Sequence, residues 1–118
     1  NNYILKILLN KESEILFQSI RKIEENNISY LRKFEHFSDS DYKSQIIKKD
    51  NYGEFLIVKI PLIKNQFMVD ICDKNKNTSD VYQIQKKQKI NIYLQLNSIW
   101  RFKNRYSCIP KVSKIELL

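Results

Sequence analysis

The stretch from Lys89 to Lys103 constrains this chain more than any other. Ile90, Ile92, Leu94 and Leu96 fall on one side of a period-two repeat, and Asn91, Tyr93, Gln95 and Asn97 fall on the other. That alternation specifies a strand with one face in a core and one face in water. Ser98-Ile99 interrupts the alternation and predicts a bulge or bend there. Asn104 then turns the chain, and Ser107 to Leu117 is expected to return as the partner strand.

The rest of the chain supplies further strands and one main helix. Tyr3 to Leu9 is a short apolar run bounded by Asn10, which reads as a buried strand. Asn10 followed by Glu12, Ser13 and Glu14 suits the positive end of a helix. Leu16, Ile20 and Ile23 supply its apolar stripe, and Asn26-Asn27 is expected to end or interrupt it. Ile28, Leu31 and Phe34 keep helical spacing, Ser38 to Asp41 is a loop, and Tyr42 to Ile47 is a candidate short strand. Asn51-Tyr52-Gly53 signals a turn, since Gly53 alone takes positive φ freely. Glu54 to Pro61 follows as a central strand closed by the proline. A hairpin around Ile63-Lys64-Asn65-Gln66 leads into Phe67 to Cys72, and Thr78-Ser79-Asp80 opens a short helical turn. The expected architecture is one domain, residues 1–118, of β-rich α+β class: an OB-like Greek-key barrel with one main helix near the N-terminus. The chain opens Asn-Asn rather than with Met, as a piece of a longer chain would.

Composition narrows the function classes. Lys outnumbers Arg 17 to 4 and Ala is absent, as in a protein from an AT-rich genome, so the position of charge is better evidence than its amount. Residues 1–41 carry 6 basic and 7 acidic side chains, whereas residues 42–118 carry 15 and 6. No acid occurs between Val81 and Ile115, while Lys86, Lys87, Lys89, Arg101, Lys103, Arg105, Lys111 and Lys114 all do. A one-sided positive field favours a polyanion as partner. A single glycine cannot build a phosphate-cradling loop. Cys72 and Cys108, with His36 as the one histidine, are too few ligands for a structural zinc site and read as buried thiols in a reducing compartment, though a disulfide between them stays open. Glu54, Asp70, Asp73 and Asp80 need not converge on a metal, and His36 stands alone beside Glu35. No catalytic, metal or cofactor site is expected. No apolar run approaches the ~18 residues of a membrane span.

The chemistry then concentrates around the last hairpin. With period two kept after the bend, Trp100 and Phe102 share one face and Arg101 and Lys103 the other, with Arg105 and Tyr106 at the turn. Large aromatics mostly pack, so Trp100 and Phe102 taken singly are expected in the core. Tyr93, on the polar face, is the better stacking candidate. Alternating with Gln95, Asn97, Arg101 and Lys103, it offers a π-face for a base and cations for the phosphates. Lys86-Lys87-Gln88-Lys89 leads into that strand and would extend a phosphate rail, with Lys64, Tyr52 and Tyr82 as further groove candidates. The nucleic-acid-binding set is therefore Lys86, Lys87, Lys89, Tyr93, Trp100, Arg101, Lys103, Arg105 and Tyr106.

From Phe55 to Leu117 the pattern resembles the single-stranded DNA-binding OB-fold proteins of large cytoplasmic DNA viruses and, more distantly, those of podovirus-type phages. The matching segments are LIVKIP, FMVDICD, NTSDVYQIQKKQKINIYLQLNSIW and KVSKIEL, with YKSQIIK and the opening strand earlier in the same order. In that family a glycine usually follows the tyrosine of the final hairpin, and an aromatic comes soon after. Here Ser107 and Cys108-Ile109-Pro110 stand instead. The resemblance implies non-catalytic coating of exposed DNA strands in viral replication, recombination or repair, in the host cytoplasm, with self-association or replication proteins as further partners. RNA binding and a basic protein-interaction module are the alternatives, and the preference for DNA over RNA comes from the resemblance only.

Overall fold

Asn10 and Ser13 set the start of the helix together. The Asn10 carboxamide oxygen accepts from the backbone of Glu12 and Ser13, and the Ser13 hydroxyl donates to the Leu8 carbonyl at 2.6 Å. The computed structural model describes residues 2–118 apart from Tyr52, and only the backbone of Asn2. In it β1 (Asn2–Leu8) is followed by α1 (Glu14–Leu31) and a 3₁₀ turn at Asp39–Asp41. Then come β2 (Ile46–Lys49), β3 (Gly53–Ile63), β4 (Gln66–Phe67) and β5 (Asp70–Cys72). A second 3₁₀ turn at Val81–Gln83 precedes β6 (Ile90–Gln95), β7 (Trp100–Phe102), β8 (Arg105–Ser107) and β9 (Lys111–Leu117). The fold is α+β, made mostly of strands, with one α-helix among the described residues.

The chain divides into two compact units, with the boundary inside β1 and β3. One comprises the start of β1 with Val58–Gln95 and Pro110–Leu118; its strands β5, β9 and β6 form a sheet in that order. β9 runs parallel to β5 and antiparallel to β6, and Ile71, Val81, Val112, Ile115 and Leu117 are buried. At the Ile63–Gln66 corner Lys64 and Asn65 take φ of 50° and 63°. Positive φ at both central positions is the signature of the type I′ turn, whose twist matches that of the flanking strands. The hairpin expected at these residues is therefore present, joining β3 to β4.

The other unit comprises Lys6–Ile57 and Leu96–Ile109. Phe17, Ile20 and Leu31 of α1 are buried in it, as are Tyr42, Phe55, Leu56 and Cys108. Burying an aliphatic or aromatic side chain fully contributes about 1.5–3 kcal/mol each. Glu24 is buried on the same helix, and its carboxylate accepts from the Ser44 hydroxyl at 2.6 Å and the Gln45 amide at 2.9 Å. That ties the helix to the segment leading into β2, which pairs with β3 from Ile46↔Leu56 to Lys49↔Gly53.

Several expectations need correction. The helix does not stop at Asn26-Asn27 but continues to Leu31, because Asn27 donates to the Tyr42 hydroxyl at 3.1 Å and the apolar spacing resumes at Ile28. β3 runs past Pro61 to Ile63; Pro61 is exposed and serves as an acceptor, taking a hydrogen bond from the Met68 amide. The strand expected from Lys89 to Lys103 is two strands. β6 ends at Gln95 and pairs with β9, whereas β7 pairs with β8. The register irregularity lies between Tyr93 and Leu94 rather than at Ser98. Among the described residues the strands fall into three hydrogen-bonded sheets, and they do not close into a barrel. Cys72 and Cys108 are both free thiols. The turn expected at Asn51-Tyr52-Gly53 rests in part on Tyr52, which lies outside the described residues.

Candidate nucleic-acid interface

The β7–β8 hairpin gathers five of the expected site residues. Its register sets Trp100 opposite Ser107, Arg101 opposite Tyr106 and Phe102 opposite Arg105. Side chains alternate across a strand, so Trp100, Phe102 and Arg105 share one face, and Arg101 and Tyr106 share the other. The first face is the wet one: Trp100 is 62% exposed, Phe102 76%, and Arg105 is also exposed. The expectation that the two rings belong to a core is thereby overturned. Residues two apart on a strand rise by ~6.8 Å, so the rings form successive platforms rather than one cluster. Lys103, the first loop residue, takes φ 55° and brings its ammonium 5.7 Å from the Phe102 ring centre. Lys103 and Arg105 thus join the rings on one surface, whereas Arg101 stays on the opposite face, where the period-two reading placed it.

The second face is built differently. The Arg101 guanidinium lies 5.8 Å from the Tyr106 ring centre, and its Nε donates to the Lys103 carbonyl at 2.9 Å. Phe37 meets the Tyr106 ring edge-on at 5.5 Å, and the Lys43 amide donates to the Tyr106 carbonyl at 2.7 Å. Tyr106 is half-buried and structural as much as exposed.

The remaining expected residues lie in the other unit. Lys86, Lys87 and Lys89 are exposed around a turn in which Lys87 takes φ 65° and the Gln88 amide donates to Gln85. Tyr93 is half-exposed on the polar face of β6, with Asn91 and Gln95 beside it. Opposite it in β9 stands Lys114, whose ammonium lies 5.6 Å from the ring centre. Lys114 is a partner that the cross-strand register supplies and the linear pattern does not. The same face carries a balanced acid: Glu116 is ion-paired with Lys76 and accepts from Asn91 Nδ2 at 3.1 Å. Those two donors, Lys76 first, hold its carboxyl below the usual glutamate range. Lys86, Lys87 and Lys89 do not face Arg101, Lys103 and Arg105 across one hairpin, because β6 and β7 have different partner strands. Lys64 sits in the β3–β4 turn, and Tyr82 is 75% exposed with its ring against Phe67; Tyr52 lies outside the described residues.

No group of three or more His, Cys, Asp or Glu side chains converges as a metal site among the described residues. No helix among them is long and apolar enough to cross a membrane. No protein-family model, curated protein or solved structure matches the chain.

Proposed function

We propose that this chain is a non-catalytic binder of single-stranded DNA, with little overall sequence preference and an OB-like strand path. The observation that carries the reading is the β7–β8 face, on which two solvent-facing rings, Trp100 and Phe102, stand with Arg105 and Lys103. Exposed large aromatics interleaved with cations suit a strand whose bases stack and whose phosphates need neutralising. The Tyr93–Lys114 pair offers the same two groups on the β6–β9 face. The strand path supports the fold reading. With β4 and β5 taken as one interrupted strand, β2, β3, β4–β5, β6 and β9 make five segments, and β9 returns between β5 and β6, parallel to the first. That return is the exchange a five-stranded Greek-key barrel makes. The resemblance described above points to viral DNA replication, recombination or repair as the process, at replication sites in the host cytoplasm.

The test is an anisotropy titration of oligo-dT at two salt concentrations beside matched single-stranded RNA and duplex DNA. Tight binding to oligo-dT that weakens steeply with salt is expected, since each neutralised phosphate contributes a slope of about −0.7 in log K against log salt for single strands. Absence of binding at low salt would end the proposal. Equal or tighter binding to RNA would move it to the RNA alternative.

A further inference from the structure

Within the second unit, His36, Asp41, Arg101, Asn104 and Tyr106 line a pocket of about 320 Å³. That volume lies at the lower end of small-ligand sites, enough for one base or nucleotide. Three of the five lining residues, Asp41, Arg101 and Tyr106, are held in place. The Asp41 carboxylate accepts from the Ser38 amide through Oδ2 at 3.0 Å, in a reciprocal cap of the 3₁₀ turn. Arg32 clamps the same turn through a two-pronged pair with Asp39, at 2.9 and 2.5 Å. The Lys43–Tyr106 hydrogen bond and the Phe37–Tyr106 ring contact fasten that segment to β8. Arg101 is oriented by the bond from its Nε to Lys103. Neither Asp41 Oδ1 nor the terminal guanidinium nitrogens of Arg101 have a hydrogen-bond partner among the described residues.

The pairing of charges selects the ligand. A phosphate would gain from Arg101 but meet the Asp41 carboxylate in the same small space. An apolar ligand would cover both charges without compensating either. A flat ring with two donors on one edge and two acceptors on the next satisfies both. Guanine is the nucleobase of that kind: N1–H and the N2 amine can both donate to a carboxylate, while O6 and N7 accept from an arginine, the commonest base-specific contact. Adenine would turn the N1 lone pair toward Asp41, and thymine and cytosine have no N7.

We propose that this pocket is a subsite for one unpaired guanine, giving an otherwise sequence-tolerant single-strand binder a single preferred base. The inference rests on the single-strand reading. The decisive measurement compares a dT oligomer with oligomers of equal length carrying one central dG, inosine or 7-deazaguanine, by anisotropy at fixed salt. A preference for dG on the order of tenfold is expected, reduced by inosine, which lacks the N2 amine, and by 7-deazaguanine, which lacks N7. Asp41→Asn should bring the ratio of the dT and dG dissociation constants toward one, because the amide still accepts from Ser38 but presents a poorer acceptor to two donors. Equal binding of all oligomers by the wild-type chain overturns the guanine subsite and leaves single-strand binding standing. A dG preference that survives Asp41→Asn and is insensitive to inosine also overturns it. If no oligomer binds, dGMP is titrated against the protein by NMR. Shifts at Tyr106 and Arg101 that Asp41→Asn abolishes would then support the pocket without the single-strand reading, and their absence would overturn both.

Discussion

Truncating the two exposed rings of β7 should separate the proposed strand binding from folding. Trp100 is 62% exposed and Phe102 76%, so only a quarter to two-fifths of each side chain is covered. Full burial of a large apolar side chain is worth about 1.5–3 kcal/mol, so Trp100→Ala and Phe102→Ala should each cost about 0.5–1 kcal/mol in stability. Phe17, fully buried in α1, should lose about 3–5 kcal/mol on the same change. In binding the order reverses. Each ring that stacks a base contributes about 1–3 kcal/mol, or roughly 5- to 150-fold in Kd, and Phe17→Ala should act only by unfolding. The cations are removed separately with Arg105→Ala and Lys103→Asn, asparagine being among the few residues that tolerate the left-handed backbone Lys103 adopts. If each cation neutralises one phosphate, as proposed, their loss should make the log K against log salt slope shallower by about 1.4, whereas the ring variants should shift the line without tilting it. The assay is oligo-dT anisotropy across a salt series, paired with urea unfolding of each variant. The reasoning is refuted if the ring variants unfold as Phe17→Ala does, or if they remain folded and bind as tightly as the wild type.

Three further outcomes follow from the geometry. Tyr93→Ala should weaken oligo-dT binding at every salt concentration, and Lys114→Gln should do so mainly at low salt, since one supplies the ring and the other the charge beside it. Glu24→Ala should cost about 2–3 kcal/mol, because the Ser44 hydroxyl and the Gln45 amide both donate to a buried carboxylate; urea unfolding with an unchanged m-value would show it. Glu116 makes stability pH-dependent. Its folded-state carboxyl is held low by Lys76 and Asn91, so its contribution is complete above the ordinary glutamate range and lost as pH falls through the depressed value. Glu116→Gln should flatten the acid limb of a thermal-stability profile, and an unaltered limb would remove Glu116 from that role.

Strand and turn chemistry were legible in the sequence wherever the deciding interactions are local. The alternation of Ile90, Ile92 and Leu94 against Asn91, Tyr93 and Gln95 appears in β6 as read, because side-chain direction in a strand follows from its two-residue period. The Lys64-Asn65 corner and the Asp80-led 3₁₀ turn are equally local, the latter capped by Asp80 accepting from the Tyr82 amide at 2.9 Å. What escaped was set by distant partners. The pair Asn26-Asn27 is a poor helix continuation by propensity, yet Asn27 finds the Tyr42 hydroxyl fifteen residues on and the helix proceeds. The break after Gln95 has no strong local mark, since Leu96 and Asn97 extend the alternation; it reflects that β9 pairs with β6 while β8 pairs with β7.

The candidate site shows the same division, and it explains why charge read along a chain misleads in both directions. Period two shows that Trp100 and Phe102 share a face but not whether that face is core or water. Their size argued for core, and a three-stranded-deep environment would have supplied one. A two-stranded hairpin of three residues per strand has no second layer of its own to bury them. The acid-free run from Val81 to Ile115 marks a basic segment correctly, yet Glu116, just past its end, is brought beside Asn91 and neutralised by Lys76 from a distant turn. Asp41, in the net-acidic first third of the chain, lies in one pocket with Arg101. A linear count separates that aspartate from the arginine, whereas the fold sets both in the lining of one pocket. The proposed preference for one base would therefore originate in a segment whose net charge is acidic, outside the basic run that marks the rest of the proposed interface.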